Sequence, residues 1–248
     1  MYGLAPTRGP GVAPAAFTSA AESTPYSKIP EDDSNITLLE AEKEWEEILA
    51  AYDFYEKQLG DAFAPLPAGS APPISTPFGP ALQYRSYLIA VLWAFYYTGR
   101  LMHFRLHPCM PPATMKSAVT AAGTTAQYAQ IIGKIVAGIY YPQLYNLDAG
   151  SLNPTLGAAL IQITVPIFFA GVQYTDAAQR GWTVATLHNI SRLTGWQSAD
   201  KIATGCESAW YFTAKAGQGP HYTSVELSNR SESLVSNTLD IRVHDDSF

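Results

Sequence analysis

The sequence predicts an all-α fold: one domain of about six helices with disordered N- and C-terminal tails. Three observations carry this. Apolar residues recur at i, i+3, i+4 and i+7 through most of the chain, while no stretch alternates with the period of two that a half-buried strand needs. Prolines and glycines fall between the periodic stretches, where they punctuate helices. The chain has 248 residues, 47% of them hydrophobic, enough for one sizeable core.

Residues 1–33 are rich in Ala, Pro, Gly, Ser and Thr. Such a segment cannot bury enough apolar surface to offset its ordering entropy, and it reads as disordered. It has no charged start followed by an apolar run, so it does not read as a secretory signal. The helical domain is expected over 34–222. Ser34 or Asn35 offers an N-cap for a first helix over 36–59. Ile36, Leu39, Trp45, Ile48, Leu49, Tyr52, Tyr55 and Leu59 mark its apolar face. The other face is acidic: between Glu31 and Asp61, Lys43 and Lys57 are the only basic residues. That pattern suits a solvated face and also a contact surface for a partner protein. Residues 61–80 hold six prolines and read as a linker or wrapping loop.

A second helix is expected from Ala81 to Leu106, apolar nearly all round through Leu88–Tyr97 and so central and buried. Pro108 ends it and pushes His107 out of helical geometry. Pro111 and Pro112 open a third, with proline in its first turn. Its small residues (Ala118, Ala121, Ala122, Gly123, Ala126, Gly133, Gly138) permit close helix approach. The charge-free stretch Ala149–Thr175 is nearly long enough to span a membrane. Asn153, Pro154, Gln162, Pro166 and Gln173 interrupt it, and Asp148 and Asp176 bracket it in place of basic flanks. It reads as a buried core helix. An amphipathic helix follows, with Asp176 as cap, Trp182, Leu187, Ile190 and Leu193 as its stripe, and Gly195 at its C-terminus. The last helix runs to Gly217, and 223–248 is a polar tail.

The chemistry-bearing candidates are few. Cys109 and Cys206 make no disulfide framework and no four-ligand zinc set. Cys206 falls in the apolar stripe of the last helix with Ala199, Ile202, Ala203, Ala209 and Trp210. Asp200, Lys201 and Glu207 are expected on its wet side. No His stands four residues away to activate the thiol, so Cys206 reads as packing between Trp196 and Trp210. His103 and His107 have the i,i+4 spacing of zinc ligands. Phe104 stands where the zinc-protease pattern needs Glu, and Pro108 breaks the helix. Capping of helix carbonyls by His103, Arg105 and His107 is the expected role. The carboxylate pairs Asp32–Asp33, Glu46–Glu47 and Asp245–Asp246 lie in polar segments, where burial does not raise a pKa. No phosphate loop or nucleophile elbow occurs. The net charge of −6 and the scattered Lys and Arg supply no nucleic-acid footprint. No catalytic, cofactor-binding or metal residue is assigned, and no enzyme activity is expected. The 15 Tyr, 10 Phe and 5 Trp either fill the core or line an apolar pocket.

Taken together, several stretches resemble the fungal-specific regulatory region of six-cysteine zinc-cluster transcription factors: PFGPALQYRSYLIAVLWAFYYTGR (77–100), RLHPCMPPATM (105–115), AQYAQIIGKIVAGIYY (126–141), LGAALIQITVPIFFAGVQY with its continuation to Trp210 (156–210), and GQGPHY (217–222). The likeness covers roughly 36–222. It implies a helical regulatory domain of a nuclear transcription regulator in a fungus, tuned by protein partners or a small apolar ligand, and acting on a metabolic or biosynthetic gene set. It carries over no catalytic residue. The chain departs from the family in having two cysteines where the zinc cluster needs six close together, so direct DNA binding is not expected, and zinc only with a cluster encoded upstream. Three readings stay open: part of a longer regulator, a stand-alone cofactor without a DNA reader, or a domain used outside transcription. A small-molecule-sensing domain is the alternative function, and a helical enzyme or membrane-associated protein a further one.

Overall fold

The computed structural model describes residues 37–111, 114–139 and 149–222. The expected disordered segment 1–33, the caps Ser34 and Asn35, Pro112, and the tail 223–248 lie outside the described residues. The fold is all-α. Its elements run α1 (Leu38–Leu59), β1 (Ser75–Thr76), β2 (Gly79–Pro80), α2 (Tyr87–Arg105), α3 (Thr114–Thr120), α4 (Ala122–Ile139), α5 (Pro154–Gln162), α6 (Thr164–Gly171), α7 (Ala177–Thr194) and α8 (Ser198–Lys215).

The helix ends follow local chemistry. Ser86 caps α2, its hydroxyl accepting from the Ile89 N–H at 3.3 Å, and Leu106 is the C-cap, two residues before Pro108. Asn153 caps α5 with Pro154 in the first turn. Asp176 caps α7 through the Gln179 N–H at 2.9 Å, and Gly195 ends it at φ 73°, in the left-handed region. Gly217, at φ 71°, follows α8.

Two expected helices are each divided. The third bends at Ala121 into α3 and α4, although the Ala121 N–H still donates to Ser117 O and the Thr125 N–H to Ala121 O, both at 2.9 Å. The charge-free stretch breaks at Ile163 into α5 and α6. Pro166 has no N–H to donate to Gln162 O, so the ladder lapses there and Pro166 sits in the first turn of α6 instead. The span Pro154–Gly171 has the length and hydropathy of a membrane crossing. In the fold, Leu160, Ile163, Ile167 and Ala170 are buried with the rest of the core.

The core lies where α2 packs along α4, with α6 against both and α8 beyond it, and α7 against α8. Leu101, Ile132, Ile135, Val136, Leu160, Ile163, Leu187 and Ile190 have no exposed surface. Trp210 is buried and donates from Nε1 to Gly171 O at 2.8 Å.

Residues 61–80 wrap the bundle rather than link parts of it, and a short strand pair there corrects the expectation of none. Ser75 pairs with Pro80 and Thr76 with Gly79. Gly79 adopts φ 93°, a conformation that glycine takes without a Cβ penalty. The Thr76 hydroxyl accepts from the Phe78 N–H and donates to Gly79 O. Two residues a side are too few for a periodicity to register. The turn drives Phe78, 5% exposed, among Gly133, Tyr174 and Trp182, a burial that stabilises by about 2–3 kcal/mol.

Candidate functional site

α1 carries the apolar spacing of a core helix, yet none of its residues is buried. Its apolar positions divide in two. Trp45, Leu49, Tyr52 and Leu59 are half-buried, while Leu39, Ile48, Phe54 and Tyr55 are exposed. The helix runs antiparallel to α2. The Trp45 indole stacks on His103 at 4.5 Å, Tyr52 meets Tyr96 edge-on at 5.7 Å, and Tyr55 stacks on Tyr96 at 6.1 Å.

Beside this seam an apolar groove of about 530 Å³ opens, with Ile48, Ala51, Tyr52 and Tyr55 as one wall and Leu92, Phe95 and Tyr96 as the other. The sequence placed Phe95 inside a helix buried all round. It is 42% exposed and Leu88 64%, because α1 covers only one side of that end of α2.

The floor is fixed by a clip of charge and hydroxyl. The Tyr96 hydroxyl donates to the Glu56 carboxylate at 2.9 Å and accepts from Arg100 at 3.0 Å. Arg100 also pairs with Asp53 and, at 3.7 Å, with Glu56. Burial pushes the Tyr96 hydroxyl up to about 12, so it keeps its proton at neutral pH. The rim is acidic. Glu40, Glu44 and Glu47 stand at helical spacing with Ile48, Ala51 and Tyr55, and Lys43 is paired with Glu47 at 3.6 Å.

The histidines meet an indole rather than their own helix end, which corrects the capping expectation. His103 is 8% exposed and its Nε2 lies 2.9 Å from Trp45 O. Burial lowers its pKa despite that hydrogen bond, so the ring is neutral and Nε2–H donates. The Trp45 Nε1–H donates back to His103 O at 2.9 Å. His107 packs edge-on to Trp45 at 4.7 Å, and its Nδ1 accepts from the Cys109 N–H. Arg105 reaches away from its helix to Phe169 O. The exposed Cys109 donates to Glu42 at 3.4 Å. Among the described residues no group of three His, Cys, Asp or Glu is placed to hold a metal ion.

Cys206 is fully buried, and that burial pushes its thiol up to about 12; it packs, as its spacing implied. Two of its neighbours depart from expectation. Trp196 is 45% exposed, whereas Trp210 is buried. Glu207 is buried at 8% exposure and accepts from the Tyr222 hydroxyl at 2.7 Å. A helical wheel places Glu207 outside the stripe and cannot show that the chain beyond Gly217 returns to cover it. Asp200, half-exposed, accepts from His188 at 2.8 Å and from the Ser191 hydroxyl at 2.6 Å. Ser191 thus bonds the carboxylate rather than the imidazole, which is no nucleophile–base arrangement. Lys201 is exposed, and so is the pair Glu46–Glu47; Asp32–Asp33 and Asp245–Asp246 lie outside the described residues.

The groove holds no nucleophile or general base aimed at a common point. Its chemistry is to take up apolar side chains beside acidic ones. No protein-family model, no curated protein and no solved structure matches this chain.

Proposed function

We propose that this chain is a non-enzymatic regulatory domain acting in transcription in a fungal nucleus, and that it works by docking a partner helix in the α1–α2 groove. One observation carries the docking: an open groove of about 530 Å³ with apolar walls runs beside an acidic helix edge. An amphipathic helix fits such a groove through apolar residues at i, i+3/i+4 and i+7. Charge complementarity sets the partner's chemistry, since basic residues flanking its apolar stripe would meet Glu40, Glu44 and Glu47. The transcriptional context rests on the family resemblance in the sequence, and regulation of a metabolic or biosynthetic gene set is the reading that follows from it. The Lys and Arg are scattered along an acidic sequence, so the proposed route to DNA runs through that partner.

The test fuses the chain to a heterologous DNA-binding domain upstream of a reporter. The wild type is expected to change reporter output, and Ile48→Asp with Phe95→Asp to abolish the change while leaving the helical CD spectrum intact. Both side chains are more than two-fifths exposed, so charge there disturbs docking before folding. An unaltered reporter, or an effect equal in the double variant, removes the reading.

A second reading has its own observation: the same groove has the volume of a small-ligand site. There, a saturable thermal shift with an apolar metabolite, lost in the double variant, is the expected result.

A further inference from the structure

Two arginines are buried at the end of the bundle where α2, α6 and α7 meet, and neither forms an ion pair with a described carboxylate. Arg105 is 3% exposed and Arg180 5%. Burial without a counter-ion draws the Arg105 guanidinium down to about 10 and lowers that of Arg180 as well. Arg105 disposes of part of its charge in hydrogen bonds, one terminal nitrogen donating to Phe169 O and to Gln173 Oε1, both at 2.8 Å. Arg180 has less. Its Nε donates to Tyr174 O at 2.6 Å, and its terminal nitrogens make no hydrogen bond to a described residue and are not sealed from solvent-accessible space. The guanidinium lies over the Trp210 ring at 5.1 Å and the Tyr222 ring at 5.6 Å. Glu207 accepts from the Tyr222 hydroxyl and forms no ion pair with Arg180.

A buried cation is costly unless paired. Aromatic faces attract it from two sides but offer its in-plane N–H donors no acceptor. Beside Arg180 there is a cavity of about 90 Å³, lined also by Gln173, Thr213, Ala122 and Val172. That is about three water volumes at ~30 Å³ each, the room a carboxylate with a short tail needs. The strap after α8 lies across it: the Gln218 N–H donates to Thr213 O at 3.0 Å, Gly219 approaches Thr213, and Tyr222 packs on Trp210 at 5.0 Å.

We propose that this cavity binds a small carboxylate monoanion on the Arg180 guanidinium fork, beneath the 217–222 strap. The planar fork matches a carboxylate in two parallel hydrogen bonds. A single cation with one free edge suits a monoanion rather than a phosphate dianion. The site is separate from the α1–α2 groove and stands whether or not that groove docks a partner.

The experiment uses the full chain in chloride-free buffer. Acetate is titrated while Tm is followed, and the transverse relaxation of ¹³C-labelled acetate is measured at a fixed ratio. The expected result is a saturable rise in Tm and faster acetate relaxation, the relaxation effect being reversed by excess formate, which competes for the same fork. Arg180→Gln is expected to abolish both. Because that variant removes a buried group and can fail to fold, Ala122→Leu is the second: it fills the cavity, leaves Arg180 in place, and is expected to lose acetate binding while keeping its CD spectrum. A Tm that rises linearly without saturation and equally in all three proteins overturns the site. So does unchanged acetate relaxation in the wild type, or binding that survives Ala122→Leu. Binding of phosphate in place of acetate overturns the monoanion assignment.

Discussion

Gly138 shows how one missing Cβ sets the approach of two segments. A methyl group there would run into the backbone carbonyl of Leu82, whose N–H donates to Lys134 O one turn earlier at 3.0 Å. Neither side can yield without breaking the wrap of the loop on α4. Gly138→Ala is therefore expected to destabilise by about 2–3 kcal/mol, read as a lower urea midpoint at unchanged slope. Gly181, exposed in α7 with nothing within 4 Å of its Cβ position, is the contrast. Gly181→Ala is expected to stabilise by about 0.5–1 kcal/mol through helix propensity. Asp200 gives a pH signature. Burial acts to raise its pKa, and the hydrogen bonds from Ser191 and His188 more than reverse this, leaving it below the usual carboxylate range. A depressed folded value contributes stability above the unfolded value and loses it as pH falls through the folded one. Because the side chain is 39% exposed, the contribution is about 1 kcal/mol or less. Asp200→Asn is expected to lower Tm at pH 6 by roughly 2–4 °C, with wild type and variant converging as Asp200 protonates. A difference that persists unchanged into strong acid would show that the carboxylate charge plays no part.

At the scale of elements, α1 is held to the bundle along one narrow seam. Trp45 is its anchor, stacked on His103 and hydrogen-bonded to the His103 carbonyl. Arg100, Asp53, Glu56 and Tyr96 close the other end. Trp45→Ala is expected to cost about 2–3 kcal/mol, below the range for a fully buried Trp, because the ring is half-buried. The loss should centre on α1: limited proteolysis is expected to cut between 38 and 59 in the variant before it cuts α4. The sequence held part of this arrangement. Trp45, Tyr52 and Leu59 sit at helical spacing and do face inward. Ile48 and Tyr55 belong to the same stripe by spacing and face the groove, because a single partner helix covers only part of an apolar face wider than its own contact.

Across the whole molecule, stability is graded from the α2–α4 core outward. Ile132, Ile135, Val136 and Leu101 are fully buried, whereas α1 buries no residue completely. Amide exchange is expected to follow that gradient. The amides of α4 and central α2 should exchange only on global unfolding, and those of α1 should exchange earlier by local opening. Equal protection in α1 and α4 would show that the groove-forming helix is integral to the cooperative unit. The gradient also bears on the proposed docking, since a helix that opens locally can adjust to a partner beside it.

Periodicity, proline placement and capping residues determined that the chain is helical and where several of its helices stop, because those signals act over one or two turns. Asp176 and Gly195 bound α7, and the apolar stripe of α8 places Cys206 inside. Only the tertiary structure decided which parts of an apolar face stay open, because that depends on what packs opposite. It exposed Phe95 and Ile48 as walls of a groove, drew Phe78 from a proline-rich loop into the core, and turned His103 and His107 onto Trp45. It also buried Glu207 under Tyr222 and left Arg180 beside a cavity, unpaired with any described carboxylate. These contacts join residues 15 or more positions apart, and no local pattern in the chain encodes them.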